Sequence, residues 1–282
     1  MTDFAGKSDV GKMREDNQDR YLAMRRGPVT LLAVADGVGG EAGGDVASAA
    51  AIDGLAAAFD PGSSDIAAAL GAAMRTANAA VVRAARERGH ATAASTLVAA
   101  AVSGRRCAVA NLGDSRAYLV RAGSAEQITS DHSGTVANSI TRFVGDPRGV
   151  APDVFTETLR PRDRLVLCSD GLTRHVPPEE IARAASTSAP SRAAGALVDL
   201  ANARGGEDNV TVIVYQAPAL IGRAVLLAAV ALIAALAVAG AVVGAAVNPV
   251  APAPAATPLA SPSVSPSTSP SEPPTPSASP TP

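Results

Sequence analysis

Four aspartates stand where apolar, strand-like runs end or begin: Asp36 closes LLAVAD, Asp114 follows VANLG, Asp170 follows LVLCS, and Asp208 immediately precedes NVTVIVY. A single Asp-Gly after a strand is a common turn signal, but four carboxylates delivered to strand ends form a set. Hard divalent cations such as Mg²⁺ and Mn²⁺ take oxygen ligands in octahedral geometry, and short Asp side chains supply them rigidly. Two such ions roughly 3.5 to 4 Å apart share a hydroxide, lower its pKa and clamp an in-line attack on phosphorus. Four Asp without His or Cys therefore point to phosphoryl hydrolysis rather than peptide hydrolysis. One residue must bridge the ions, and its neighbour can lend a carbonyl only if it is Gly-like and closely approached. Asp36-Gly37 fits that role.

The composition narrows the alternatives. The 282 residues carry 24 Lys and Arg against 26 Asp and Glu, a net charge of −2 with no basic block, which argues against a nucleic-acid binder. Cys107 and Cys168 lie inside apolar runs as small buried hydrophobes, and His90, His132 and His175 lack zinc-ligand spacing. Without a cysteine framework the domain reads as cytosolic, and any metal it holds is bound by oxygen.

The elements that must position the aspartates follow from the pattern. The polar amino terminus has no basic start and apolar core, so no cleaved signal is expected. A polar loop, SDVGKMREDNQD, carries Arg14 and Asp19 and leads into a strand at Tyr21 to Met24. After the glycines from Gly37 onward, Asp45 is placed to cap an Ala-rich helix to about Phe59, and a second helix is expected over Asp65 to Arg88. Ser95 to Val120 reads as one antiparallel meander, Arg164 to Ser169 and Val210 to Tyr215 as two further strands, and Pro178 to Arg204 as two amphipathic helices. The fold class expected is α+β, an antiparallel sheet structure with helices on its outer faces.

The C-terminal part differs in composition. Ala224 to Val247 has no charged or hydrogen-bonding side chain over 24 residues, enough to span a bilayer, and reads as one transmembrane helix. No Lys or Arg follows Arg223, so the large domain is placed in the cytoplasm by the positive-inside tendency. The organisation expected is a domain over 1–216, a juxtamembrane linker over 217–223, the span over 224–247, and a Pro/Ser/Thr-rich, disordered extracytoplasmic tail over 248–282. Gly240 and Gly244 form a GxxxG that can support weak pairing of two copies.

Five stretches in order, SDVGKMREDNQD, VADGVGG, NLGDSR, LCSDGL and EDNVTVIV, resemble the motifs of the metal-dependent serine/threonine protein phosphatases of the PP2C (PPM) family. The resemblance implies a central antiparallel β-sandwich flanked by α-helices on both faces. It implies that Asp36 bridges two Mn²⁺ or Mg²⁺ ions, that Gly37 offers its carbonyl to one, and that Asp170 and Asp208 complete the other. Asp114 matches the position associated with a third, weaker metal, Arg14 the arginine that grips the substrate phosphate, and Asp19 an acidic residue that orients metal-bound water. The implied partners are phosphoproteins, above all bacterial Ser/Thr kinases and their substrates. The implied enzyme is a phosphomonoester hydrolase attacking with the bridging hydroxide, tethered to the plasma membrane. A rival is a catalytically weak phospho-recognition scaffold, and small phosphorylated regulators are an alternative substrate.

Three departures from the family pattern stand out. Val38 replaces the His of DGHGG, a candidate acid for the leaving alkoxide. The flap between the DHS and TR-x-x-G elements is about twenty residues shorter. The GTT strand opening becomes Ala94-Ser95-Thr96.

Overall fold

The computed structural model describes residues 3–38, 43–90, 92–134 and 140–219, with Ile233, Ala234, Leu236 and Ala237 beyond them. The chain divides into two units, Met1–Leu220 and Ile221–Pro282. In the first, β1 (Phe4–Asp9), β11 (Val210–Gln216), β10 (Arg164–Cys168), β7 (Arg116–Arg121) and β8 (Ser124–Gln127) form one sheet in that order. The second sheet runs β2 (Asp19–Arg26), β3 (Val29–Val38), β5 (Leu97–Ser103), β6 (Arg106–Leu112) and β9 (Asp153–Thr158), with β4 (Ala94–Ser95) on the end of β3. Every strand pairing described is antiparallel.

Strand alternation explains why the central strands read as unbroken apolar runs. Leu32 and Val34 of β3 point into the core between the sheets with Val98, Val109, Leu119, Leu165, Leu167 and Ile213. Their neighbours Leu31, Ala33 and Ala35 face the opposite way, under α1 (Gly43–Ala58) and α2 (Ile66–Glu87). On the other sheet Val166, Val212 and Val214 face α4 (Pro178–Thr187) and α5 (Pro190–Ala203). Both faces of each sheet are covered, so no polar alternation survives at the centre. Cys107 lies between the sheets and Cys168 under the helices; both thiols are free, and burial pushes each up to about 12.

The sandwich with helices on both faces matches the expected fold class, and three local expectations are corrected. The expected meander breaks after β6: β5 and β6 pair, but β7 belongs to the opposite sheet, beside β10. The turn at Gly113 is therefore a crossing between sheets. Gly113 has φ +113, its N–H donates to His132 Nδ1 at 3.1 Å, and Asn111 Nδ2 donates to its carbonyl at 3.1 Å. Second, β3 does not stop at Asp36 but continues to Val38, because β4 pairs with Gly37 and Val38. Third, Asp45 is no cap: α1 begins at Gly43, and Asp45 in its first turn pairs with Arg20. Asp65 does cap α2, accepting from the N–H groups of Ala67 and Ala68 at 3.0 Å each.

The linker 217–223 is described only to 219. The span 224–247, with Gly240 and Gly244, and the tail 248–282 lie outside the described residues apart from the four positions named above, which are helical. Among the described residues no helix is long and apolar enough to cross a membrane.

The crossing at Gly113 and the hairpin turn at Gly104 offer a matched pair. A Cβ at Gly113 would lie 2.6 Å from Thr96 Cβ, whereas Gly104, with φ +60, faces open space. Gly113→Ala is expected to cost about 3 kcal/mol or more of unfolding free energy, against about 1 kcal/mol for Gly104→Ala, in urea titrations. Equal costs would mean that the crossing is not constrained as described.

Candidate active site

Strands of both sheets end at one edge of the sandwich, and the aspartates collect there. Asp19, the first residue of β2, stands directly opposite Asp36 in the antiparallel register, and Gly37 N–H donates to Gln18 O at 3.2 Å. The Asp36 backbone is held by the altered opening of the next segment. Its N–H donates to Thr96 Oγ1 at 3.0 Å, and its carbonyl accepts from Thr96 N–H and Ser95 Oγ at 2.9 Å each. Thr96 Oγ1 also bonds Ser115 Oγ at 2.7 Å, which ties the residue after Asp114 to the same knot. These bonds satisfy the Asp36 main chain.

Asp170 opens the short helix α3 (Asp170–Thr173) directly after β10, and Asp208 precedes β11. Between these strands Ser169 Oγ accepts from Thr211 N–H at 3.0 Å and donates to Asp19 Oδ2 at 2.7 Å. Asn209 fastens the amino-terminal loop: its Oδ1 accepts from Gln18 N–H at 2.8 Å, and its Nδ2 donates to the carbonyls of Val10 and Asp16 at 2.9 Å each. That loop carries Arg14, whose guanidinium donates to Asp208 Oδ2 at 3.0 Å. Arg174 pairs with Asp170 one helical turn away.

The charge balance is acidic. Burial first, then the carboxylates of Asp19, Asp170, Asp208 and Asp114, hold the Asp36 carboxyl well above the usual range. Burial pushes Asp19 up to about 6 against the hydrogen bonds from Ser169 and Thr211, with Asp170 and Asp208 adding to the rise. Asp114 is raised by burial and by Asp170. All five therefore act on one region. Asp19 Oδ1 and Asp170 Oδ1 are buried without a hydrogen-bond partner. Gly37 lies backbone to backbone against Gly44: a Cβ on Gly37 would sit 2.2 Å from Gly44 O.

These donors fit hard divalent cations: every one is oxygen, the charge is in excess, and two buried oxygens lack partners. Among the described residues no three acidic, His or Cys side chains are already closed into a ligand cluster. Two of the carboxylates instead face Arg14 and Arg174.

All seven sequence-derived residues, Arg14, Asp19, Asp36, Gly37, Asp114, Asp170 and Asp208, belong to this edge. The sequence reading passed over Arg174, Asn209, Ser169 and the Ser95-Thr96 pair as parts of it. Only Arg174 left a local signal, its spacing of four from Asp170 on a helix. The shortened flap is closed at its base by an isolated bridge between Ser133 and Ile140.

A sequence model of protein phosphatase 2C matches residues 11–200. The chain belongs to the protein phosphatase 2C family. It is 37% identical over 232 residues to the serine/threonine protein phosphatase PstP of Mycobacterium tuberculosis, a match covering 75% of this chain and 44% of PstP. The chain thus spans less than half the length of that relative. It is 32% identical over 240 residues to the serine/threonine phosphatase Stp of Listeria innocua, covering 74% of this chain and 94% of Stp. Among solved structures, M. tuberculosis PstP/Ppp matches with a TM-score of 0.69 at 35% identity, over 76% of this chain and 98% of the other. The PstP catalytic domain in complex with two manganese ions also matches at 0.69, with 36% identity over 76% and 96% of the two chains.

The buried PP2C carboxylates give the metal-free protein a distinctive pH dependence. A carboxyl with a pKa of about 6 when folded and close to 4 when unfolded binds more protons in the native state between those values. Stability therefore falls as pH rises through that window. In EDTA, unfolding free energy is expected to drop by about 2 kcal/mol from pH 4.5 to 7.5 on account of Asp19 alone, and Asp19→Asn should make the drop smaller by about that amount. A stability that rises over this range would contradict the assignment.

Proposed function

We propose that the domain is a metal-dependent protein phosphatase that hydrolyses phosphoserine and phosphothreonine. The observation that carries this reading is the convergence of four buried or half-buried carboxylates on that of Asp36, two of them with orphaned oxygens, beside an exposed arginine. PstP, which is bound to two manganese ions in one solved structure, supports the metal and its number.

In this reading Asp36, the Gly37 carbonyl, Asp170 and Asp208 hold two Mn²⁺ or Mg²⁺ ions, and Asp114 serves a third. When bound, the ions supply Lewis acidity and lower the pKa of water toward neutrality. The chain's own residues do the rest. Arg14 lies in a loop fixed by Asn209, and its side chain is 56% exposed, so it can turn two N–H groups to the phosphoryl oxygens. Asp19 is oriented by the Ser169 hydroxyl and keeps one free oxygen to direct the attacking water in line with the leaving oxygen. Val38, 42% exposed, offers no proton, so the departing serine or threonine alkoxide takes its proton from solvent at an open rim.

The membrane placement belongs to the same proposal. The apolar stretch 224–247, with Arg223 before it and no base after it, would anchor the catalytic domain to the cytoplasmic face of the plasma membrane, with the Pro-rich tail outside and Gly240 and Gly244 available for pairing. Such a tether keeps the domain beside membrane-bound Ser/Thr kinases and their phosphorylated products.

The test is phosphate release from a phosphothreonine peptide by the purified chain. With Mn²⁺ turnover is expected, with EDTA none. Asp36→Asn and Asp208→Asn should each lower kcat/KM by about 10³-fold or more, and Arg14→Ala by on the order of 10- to 100-fold. A folded protein that binds Mn²⁺ and phosphopeptide yet releases no phosphate would favour the phospho-recognition scaffold.

A further inference from the structure

Away from the carboxylates, α2 presents a basic face. Arg75, Arg83 and Arg86 fall at positions i, i+8 and i+11, within about 80° of one another on a helix of 3.6 residues per turn. All three are exposed, and none takes part in an ion pair among the described residues. With the loop around Asp146 and Arg148 they line a groove of about 630 Å³. Arg148 and Asp146 neutralise each other through a two-point pair at 3.0 and 2.7 Å, and Glu87 is the one further acid in the lining. The groove therefore keeps a cationic excess.

Its far wall is fixed rather than loose. The buried Asn78 of α2 accepts from the N–H groups of Gly145 and Asp146 at 2.7 and 3.0 Å, and donates to Asp146 O at 2.9 Å. Two residues before Asp146, Val144 exchanges backbone hydrogen bonds of 3.0 and 2.9 Å with Ser95. Ser95 in turn is the strand partner of Gly37 and bonds the carbonyl of Asp36. Two residues of chain plus two strand spacings separate the groove wall from the candidate active site, roughly 15 to 20 Å. An extended peptide covers that distance in about five or six residues.

We infer that this groove docks an acidic segment of the phosphoprotein substrate, with Asp, Glu or a second phosphate lying about five to eight residues from the phosphoresidue in the site. The inference rests on the phosphatase reading and extends it to substrate choice. Three guanidinium groups with no ion pair among the described residues, opposite a fixed wall, match a run of carboxylates, and the continuity with β4 places their partner on the same chain as the scissile phosphate. The flap, shortened here, is replaced as a source of selectivity by a surface built from α2 and the loop of Asp146 to Val150 that precedes β9.

The test uses the full chain and a triple variant, Arg75→Gln, Arg83→Gln and Arg86→Gln, none of which belongs to the catalytic edge. Two fluorescent phosphothreonine peptides carry four glutamates five to eight residues before or after the phosphothreonine, and control peptides carry glutamines instead. In EDTA, the triple variant is expected to bind the better acidic peptide about tenfold more weakly, and wild type to bind the glutamine control as weakly as that. With Mn²⁺, kcat/KM on the acidic peptide should fall by a similar factor through KM, while hydrolysis of para-nitrophenyl phosphate is unchanged. Equal affinity of both proteins for the acidic peptides overturns the inference. If the variant then also loses association with phosphatidylglycerol vesicles, the groove is a lipid site instead. Wild type that fails to hydrolyse para-nitrophenyl phosphate with Mn²⁺ would defeat the phosphatase reading, and binding in EDTA would still decide the groove.

Discussion

Like charges gathered in a buried place are the constraint on which the rest of the structure depends. Asp36 faces Asp19 across a strand pair and feels Asp170, Asp208 and Asp114, so burial and repulsion both act against its ionised form. Left to themselves these side chains would turn outward to water. They do not, because each is attached to an element that cannot move independently. β3 and β10 are central strands covered on both faces, and their inner residues interlock between the sheets. The packing of an Ala-, Val- and Leu-built core thus sustains an electrostatic arrangement that is unfavourable by itself and that bound cations would relieve. On the proposed reading, stability and activity would be coupled through the same carboxylates.

The hydrogen bonds around the site divide the labour. Ser95 and Thr96 absorb the polar backbone of Asp36, so its carboxylate has no local competitor. Ser169 links Asp19 to β11 and joins the edges of the two sheets through a single hydroxyl. Asn209 does the same for the loop that carries Arg14, which has no secondary structure of its own to fix it. Each is a buried polar group with its partners met, and such groups specify geometry as well as stability.

The aspartates were legible in the sequence because each abuts an apolar run, and a strand with both faces covered is the most conspicuous pattern in a single chain. The sandwich was legible as sheets with outer helices, but the sheet crossing at Gly113 was not. Gly-Asp between two apolar runs is what a hairpin also looks like, and the choice was made by Asn111, His132 and Thr96, partners spread over some 36 positions. Asn209 was hidden for the same reason, since its partners lie at the opposite end of the chain. Asp45 and Asp65 both precede Ala-rich stretches, but α1 begins two residues before Asp45, which pairs with Arg20, whereas Asp65 stands just before α2 and caps it. The basic face of α2 was masked because arginines 8 and 11 positions apart meet only once the helix is drawn.

The two arginines at the carboxylate edge decide whether the arrangement is poised or blocked. Arg14 holds Asp208 and Arg174 holds Asp170, so both candidate ligands are already paired with a positive charge. If those pairs were strong they would compete with the cations the site is built to take. They are not strong: the Arg14 side chain is 56% exposed and that of Arg174 36%, and ion pairs at such exposure are worth about 1 kcal/mol or less. Several carboxylates shared with one divalent ion would outweigh pairs of that strength, and both guanidinium groups would then be free. On the proposed reading Arg14 would then be available to the phosphoryl group under the same conditions in which the site becomes competent. Pairs this weak would occupy Asp208 and Asp170 without opposing metal binding, and so act as placeholders rather than obstacles.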